Sequence, residues 1–188
     1  TVEKTLKKHG RPVIIGFGPA GMFAALILAE AGLRPVVIER GEDVDRRIKS
    51  VENFWSCGNL DENSNVQFGE GGAGTFSDGK LTTGIKDIRI SKVMEEFVEA
   101  GADESIAYKN KPHIGTDRLR EIVKNIRLKI ESLGGEVRFC EKVSEIKKKT
   151  EAGKEKIIGV FTEGTCGRSF SDEIDSECVI AATGHSAY

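Results

Sequence analysis

The sequence predicts an α/β fold in which an antiparallel β-meander is inserted into a parallel sheet. Residues 11–40 run as an apolar strand, a glycine turn, an apolar helix and a second apolar strand, which is a βαβ unit. Residues 142–175 hold three short strand candidates separated by charged or glycine-containing turns, a pattern typical of a meander. Residues 178–184 (CVIAATG) form a continuous apolar run, as in a strand buried on both faces of a parallel sheet.

Length and composition favour one domain and exclude several classes of protein. The 188 residues carry a formal net charge of -2, so no basic field favours nucleic acid as a partner. No apolar run approaches the roughly 20 residues of a membrane span, and there is no signal-peptide pattern. Four widely spaced cysteines without a C-x-x-C pair are typical of free thiols in a reducing cytoplasm. We expect a cytoplasmic protein without a nucleic-acid or membrane partner, and no metal-ligand cluster stands out.

The predicted domain covers residues 11–188 and follows a polar lead-in at residues 1–10. Because the chain begins without Met and stops directly after an apolar run, we expect it to be a fragment with missing flanking parts. Its parts follow in chain order: the βαβ unit 11–40, a helical and glycine-rich excursion 41–112, a helix and strand 113–140, the β-meander 142–175 and a returning strand 178–184.

Three helices in these parts are predicted to be amphipathic, and one of them, RISKVMEEFVEAG, ends at Gly101. The first helix of the excursion has its apolar residues at helical spacing, namely Val44, Ile48, Val51 and Trp55. The helix of residues 113–140 has a longer apolar face, and Thr116 or Asp117 can cap its first amide groups.

The glycine turn of the βαβ unit, GFGPAG, contains the spacing G-x-G-x-x-G at Gly16, Gly18 and Gly21. The first glycine allows the sharp turn, the second lets the backbone approach a pyrophosphate, and the third lets helix and strand pack closely. Pro19 and Ala20 begin the helix. Its N-terminus has free N–H groups and favours negative charge. The turn predicts a Rossmann-like dinucleotide site; the alternative is a tight turn without a ligand.

An acidic residue at the end of the second strand supports the dinucleotide site. Glu39 lies 23 residues after Gly16, where a carboxylate can accept hydrogen bonds from both ribose hydroxyls of an adenosine and would repel a 2′-phosphate. NADP is therefore not expected at this position. Arg40 is either close to the adenosine or a solvated charge.

The order of elements after Glu39 distinguishes FAD from NAD. An ordinary NAD-binding domain repeats βα pairs quickly, whereas here a long excursion, a helix, the strand EVRF and a meander precede the last strand. This order resembles the flavoprotein superfamily of glutathione reductase and p-hydroxybenzoate hydroxylase. The resemblance implies that Thr183 and Gly184, in A-T-G, return to the cofactor and that the backbone at Val143 meets the adenine.

Five stretches are similar, in this order, to bacterial proteins described as uncharacterised FAD-dependent dehydrogenases: GFGPAGMFAA, FGEGGAGTFSDGKL, PHIGTDRLR, LGGEVRF and ATGHS. The similarity covers nearly the whole chain from Arg11 to Ala187. Members of that family are usually longer, and the later glycine–aspartate motif that holds the ribityl group and flavin in the superfamily is absent here. We therefore expect this segment to bind FAD as part of a longer protein and to be inactive alone.

The segment GTFSDGKL matches seven of the eight positions of a phosphate-binding P-loop, but Leu81 stands where a hydroxyl is required. We favour a second wall of the FAD site, on its resemblance to the G-G loop of related flavoproteins. That resemblance implies contacts from Gly72 and Gly74, donors at Thr75 and Ser77, and a positive charge at Lys80 beside the flavin; the alternative is an ordinary surface loop.

The sequence thus predicts the FAD-binding portion of a flavin-dependent oxidoreductase of unknown small-molecule substrate, with hydride transfer through flavin N5 and NAD(P)H as a possible electron donor. The alternatives are an NAD-binding dehydrogenase domain and a non-catalytic dinucleotide-binding module. No catalytic residue is assigned: His113 is interpreted as structural, and a flavin contact by His185 is the less favoured of its two interpretations.

Overall fold

The structure of the chain, a computed structural model, describes residues 2–77, 79–81, 83–108 and 113–184. The α-helices within these residues are α1 (Val2–His9), α2 (Pro19–Glu30), α3 (Val44–Cys57), α4 (Arg89–Glu99) and α5 (Thr116–Ser132). The strands are β1 (Val13–Ile15), β2 (Val36–Glu39), β3 (Glu136–Phe139), β4 (Glu141–Glu151), β5 (Lys154–Gly164), β6 (Ser171–Asp175) and β7 (Val179–Ala181). Short 3-10 helices span Ala73–Phe76 and Glu104–Ala107.

Four strands form a parallel sheet in the order β3-β2-β1-β7. Val13 of β1 lies opposite Val36 of β2 and Val179 of β7, so β1 is an inner strand. Parallel neighbours require a crossover connection, which α2 provides between β1 and β2. The predicted α/β fold with a parallel sheet is confirmed.

The two faces of this sheet are covered by different layers. Side chains alternate along a strand, so neighbouring residues face opposite sides. Ile14 and Val37 belong to a core shared with α2, α4 and α5. Val13 and Ile38 belong to a second cluster, where they meet Val160 of the meander. The parallel sheet is therefore the middle of three layers.

The meander is an antiparallel sheet in the order β4-β5-β6, as predicted. Its first two strands are 11 residues each, longer than the predicted segments. The turn between them consists of Ala152 and Gly153, both with positive φ (50° and 76°). Such two-residue turns match the twist of long paired strands, which explains why the hairpin extends so far.

Two details go beyond the predicted elements or differ from them. The polar lead-in, to which the sequence assigns no element, is mostly helix α1. In α3 the buried residues are Val44, Arg47 and Val51, whereas Trp55 is 62% exposed. Trp55 lies in the last turn of α3, and Arg47 occupies the inner face instead.

Strand β7 and helix α5 also differ from expectation. β7 is an edge strand of the described sheet, with Val179 and Ile180 half-buried and Ala181 exposed, because only β1 pairs with it. Gly115 is the N-cap of α5 and makes no side-chain cap. The Thr116 hydroxyl instead donates to the carbonyl oxygen of Ser77 at 2.6 Å, which fastens the start of α5 to the glycine-rich loop. Among the described residues, no helix is both long and apolar enough to cross a membrane.

Candidate cofactor cleft

The turn between β1 and α2 brings main-chain atoms of three segments together. Gly16 has φ of +97°, and a Cβ there would lie 2.7 Å from the carbonyl oxygen of Ala182. A Cβ on Gly21 would lie 1.9 Å from the carbonyl oxygen of Gly16. Glycine is therefore required at both positions, as in the tight strand–turn–helix that the sequence predicts.

The N-terminus of α2 presents main-chain donors to open space. Gly18 is the N-cap and offers no side-chain acceptor, and Pro19 follows it in the first turn. The N–H groups of Ala20 and Gly21 have no partner within the helix, as at any helix start. A Cβ on Gly18 would meet nothing within 4 Å, so a ligand can approach here. Free amides at a helix N-terminus are typical of a phosphate site.

A cleft of about 620 Å³ opens in front of this turn, within the usual range of about 300–1,000 Å³ for cofactor sites. It is lined by the turn, the end of β2, the glycine-rich loop and the end of β7. Among the described lining residues, Glu39 carries the one ionisable side chain. The cleft brings together these predicted residues: Gly16, Gly18, Pro19, Ala20, Glu39, Gly72, Thr183 and Gly184.

Glu39 is only 6% exposed, and its carboxylate holds three segments together. It accepts hydrogen bonds from the N–H groups of Phe17 (2.7 Å), Gly41 (2.9 Å) and Gly69 (3.2 Å). Since a carboxylate has about four acceptor positions, about one is left for a ribose hydroxyl. The sequence predicts two ribose bonds and does not predict the three main-chain bonds.

Arg40 is stacked beside the cleft. Its Cζ lies 3.9 Å from the ring centroid of Phe68, which lines the cleft, and its buried Nε has no hydrogen-bond partner. The Arg40 carbonyl accepts from the Thr165 hydroxyl, so the meander is fastened at the same point. A stacked guanidinium does not fit the interpretation of a solvated charge.

The glycine-rich loop lies directly against the first glycine turn. The Gly71 N–H donates to the Phe17 carbonyl at 2.9 Å. Gly72 has φ of +66°, and a Cβ there would lie 3.2 Å from Gly18 Cα and 3.3 Å from Pro19 Cδ. Together with the residues before it, from Asn65 onward, the loop therefore forms a second wall of the cleft. It follows an irregular segment and runs into a 3-10 helix, unlike a P-loop, which joins a strand to an α-helix.

The hydroxyl groups of this loop are used internally. Thr75 is 1% exposed and donates to the Glu70 carbonyl at 3.2 Å. Ser77 donates to the Gly74 carbonyl at 2.7 Å. In this arrangement neither hydroxyl donates to a ligand, in contrast to the donor role that the resemblance implies.

A second cleft, of about 470 Å³, shares Pro19 and Ala20 with the first. Apolar side chains such as Phe23 and Phe97 line most of it. Four predicted residues border it: Gly74, Thr75, Ser77 and Lys80. Lys80 is exposed, and its main chain pairs with that of His113. The loop thus belongs to two adjoining clefts, one polar and one apolar.

The remaining predicted residues lie elsewhere. Gly21 is behind the turn, where it packs α2 on β1. Val143 is half-buried in the cluster between the parallel sheet and the meander, together with Val160. Its side chain therefore packs between the layers, and the contact of its backbone with the adenine stays a prediction. His185 lies outside the described residues.

Sequence reasoning missed Arg47, which holds the second wall from behind. Its side chain is fully buried and donates to the carbonyl oxygens of Asn65 (2.8 Å), Val66 (2.9 Å) and Glu70 (2.6 Å). Burial lowers its pKa to about 10, partly opposed by the charges of Glu39 and Glu70. Arg47 therefore remains a cation at neutral pH.

Glu70 is also fully buried and was not predicted. Its carboxylate accepts from the Val44 N–H at the start of α3 (2.7 Å) and from Arg127 Nε of α5 (2.7 Å). Burial raises the pKa of Glu70, and this outweighs the opposite effects of the Val44 amide and Arg127. The loop is thereby bonded to two helices.

Residues 11–52 match the family described as FAD binding domain. An uncharacterised protein of Clostridium beijerinckii is 52% identical over 177 residues, which is 94% of this chain. The chain spans 31% of the length of that relative.

Solved structures share the fold at low identity. THI4 from Thermovibrio ammonificans aligns over 98% of this chain and 62% of its own, with a TM-score of 0.61 and 18% identity. L-Proline dehydrogenase from P. horikoshii aligns over 92% of this chain and 52% of its own, with a TM-score of 0.55 and 16% identity.

The cleft itself agrees with this match. Helix amides face open space at Gly18, glycines at the turn allow close approach, and Glu39 lies at the end of β2. These are the features that hold the ADP half of a dinucleotide in such folds. The match over residues 11–52 and the geometry of the cleft thus agree on FAD as the cofactor.

Proposed function

We propose that this chain is the FAD-binding portion of a flavin-dependent oxidoreductase. The observation that carries the proposal is the uncapped N-terminus of α2, which faces the cleft beside Gly18 while Glu39 lies in the same cleft. A pyrophosphate fits the first feature and a ribose the second. A bound flavin would supply hydride transfer through N5.

The flavin end of the cofactor is assigned to the second cleft. It adjoins the first at Pro19 and Ala20, and its apolar lining suits a large aromatic ring system. Lys80 at its border would favour an anionic reduced flavin. The proposed substrate is a small molecule, with NAD(P)H as a candidate electron donor. We place the protein in the cytoplasm, without a nucleic-acid or membrane partner.

The identity of the cofactor is tested on the protein purified with its native flanking sequence. We expect a flavin absorption spectrum, and chromatography of the released cofactor should identify FAD. Bleaching of that spectrum by NADH, NADPH or another donor under anaerobic conditions would support an oxidoreductase. Stable NAD binding without flavin would favour the NAD-dependent alternative, and a flavin that no donor reduces would favour a non-catalytic module.

Gly18 offers a matched pair of variants for the same experiment. A Cβ at this position meets nothing within 4 Å, and the backbone is extended (φ -74°, ψ -175°), so both variants should fold. Gly18→Ala should lose part of the FAD, because its methyl group would enter the space through which the pyrophosphate approaches the backbone. Gly18→Asp should lose more, because its carboxylate would also repel the pyrophosphate. Flavin content at the wild-type level in both variants would contradict a phosphate site here.

A further inference from the structure

The side chains that line the first cleft do not balance the negative charges of a pyrophosphate, and Arg40 beside the cleft is stacked on Phe68. FAD carries two negative charges on its pyrophosphate, and Glu39 adds a third nearby. Among the described residues that line the cleft, none is a cation. The N-terminus of α2 contributes only about half an elementary charge.

A cation lies one layer of backbone behind the cleft wall. Gly69 lines the cleft, and a Cβ on it would lie 2.6 Å from Cδ of Arg47, which is not itself a lining residue. Within the described residues, the Arg47 guanidinium donates three hydrogen bonds to carbonyl oxygens of residues 65–70 and none to a carboxylate.

The neighbouring carboxylates have other partners. The Glu39 carboxylate accepts from main-chain amides, and that of Glu70 is bonded to Arg127 and the Val44 amide. They attract Arg47 through space without a direct hydrogen bond. Arg47 is fully buried, and charges act more strongly across such a poorly polarisable region than across water.

We infer that Arg47 is the buried counter-charge for the FAD pyrophosphate. It is also the positioning residue for residues 65–70, which belong to the second wall of the cleft. This role rests on the proposed function. The same side chain fixes the carbonyl groups of the wall and supplies the charge that the lining lacks. A purely structural arginine would do only the first.

The two roles are separated by comparing ADP with adenosine, which share the base and the ribose but differ in phosphate. Binding is measured by calorimetry on the flavin-free protein with its native flanking sequence. Arg47→Met should weaken ADP binding about tenfold or more and adenosine binding by less than about twofold. Arg46→Met is the matched control, because the Arg46 side chain is 59% exposed, and it should change neither affinity.

Arg47→Lys keeps the charge but lacks the planar fork that meets three carbonyls. It should lower the melting temperature and keep the ratio of ADP to adenosine affinity near that of the wild type. If Arg47→Met does not fold, the ratio of ADP to adenosine affinity in Arg47→Lys tests the counter-charge role by itself.

Equal losses of ADP and adenosine affinity in Arg47→Met would overturn the counter-charge role. A fall in the ratio of ADP to adenosine affinity in Arg47→Lys would overturn it as well. Wild-type protein that binds neither ligand would instead contradict the proposed function.

Discussion

Among single residues, Glu39 combines a structural role with the expected ligand role. Its carboxylate accepts from three main-chain amides that belong to the first glycine turn, the end of β2 and the second wall. These donors are buried with it, so the carboxylate is part of the interior even before a ribose is considered. Loss of Glu39 should therefore affect folding as well as cofactor binding.

Glu39→Ala leaves those three amides without their acceptor, and an unsatisfied buried donor costs about 1–3 kcal/mol. We expect the free energy of unfolding of the flavin-free protein to fall by at least about 2 kcal/mol in urea titrations. Glu62→Ala, at an exposed position, serves as the control. If Glu39→Ala loses FAD while its unfolding free energy stays at the wild-type value, the role of Glu39 lies in the ligand alone.

The sequence can predict residues whose role depends on fixed local spacing. Gly16, Gly21 and Glu39 are found in this way, because a strand–turn–helix needs them at set intervals. The role of Arg47 cannot be predicted from local spacing, because its partners are carbonyl groups 18–23 residues further along the chain. The same limit applies to Thr75, whose hydroxyl bonds inside its own loop.

At the scale of elements, the second wall depends on helices α3 and α5. Glu70 caps the start of α3 through the Val44 amide and pairs with Arg127 of α5. The carboxylate is buried away from water, and this burial raises its pKa even though both contacts favour the ionised form. The pairing of these elements therefore depends on pH.

A carboxyl group whose pKa is raised on folding binds protons more tightly in the folded state. Its contribution to stability is greatest below its ordinary pKa of 4.5 and is lost as the pH rises through the raised value. Glu70→Gln removes this titration. We expect the wild type to lose unfolding free energy relative to Glu70→Gln as the pH rises above the ordinary pKa of 4.5.

This pH dependence is measured by chemical unfolding at several pH values, with Glu95→Gln, an exposed glutamate of α4, as the control. A difference between wild type and Glu70→Gln that is independent of pH would contradict the raised pKa. The control should show no trend of its own.

Elements with a strong local pattern agree with the sequence, and those that depend on neighbours do not. The βαβ unit and the meander follow from apolar runs and alternation that the chain itself contains. The edge position of β7 depends on which strands pair with it. The fastening of Thr116 to Ser77 depends on a loop 39 residues earlier, so neither could be inferred from local residues.

For the molecule as a whole, the parallel sheet joins two layers of different character. The helical side has an extensive core of buried residues, whereas the meander side is held by a small cluster. Val160 of β5 is fully buried in that cluster, where it meets Val13 and Ile38. The attachment of the meander should be sensitive to single side chains.

Val160→Ala removes two methyl groups between the layers and should lower the free energy of unfolding by roughly 1–3 kcal/mol. Hydrogen exchange should increase in β4 and β5 more than in β1 and β2. Val2→Ala, at a 40% exposed position, is the control. Equal increases in all four strands would indicate that the layers open as one unit.

The bond between the Gly71 amide and the Phe17 carbonyl has a practical consequence. Internal groups of the protein, rather than the cofactor, fasten the two glycine segments to each other, with Glu39 and Arg47 on either side of the joint. We therefore expect that flavin could be removed and replaced without unfolding of the chain. That makes reconstitution with synthetic flavins of altered redox potential a direct route to studying its chemistry.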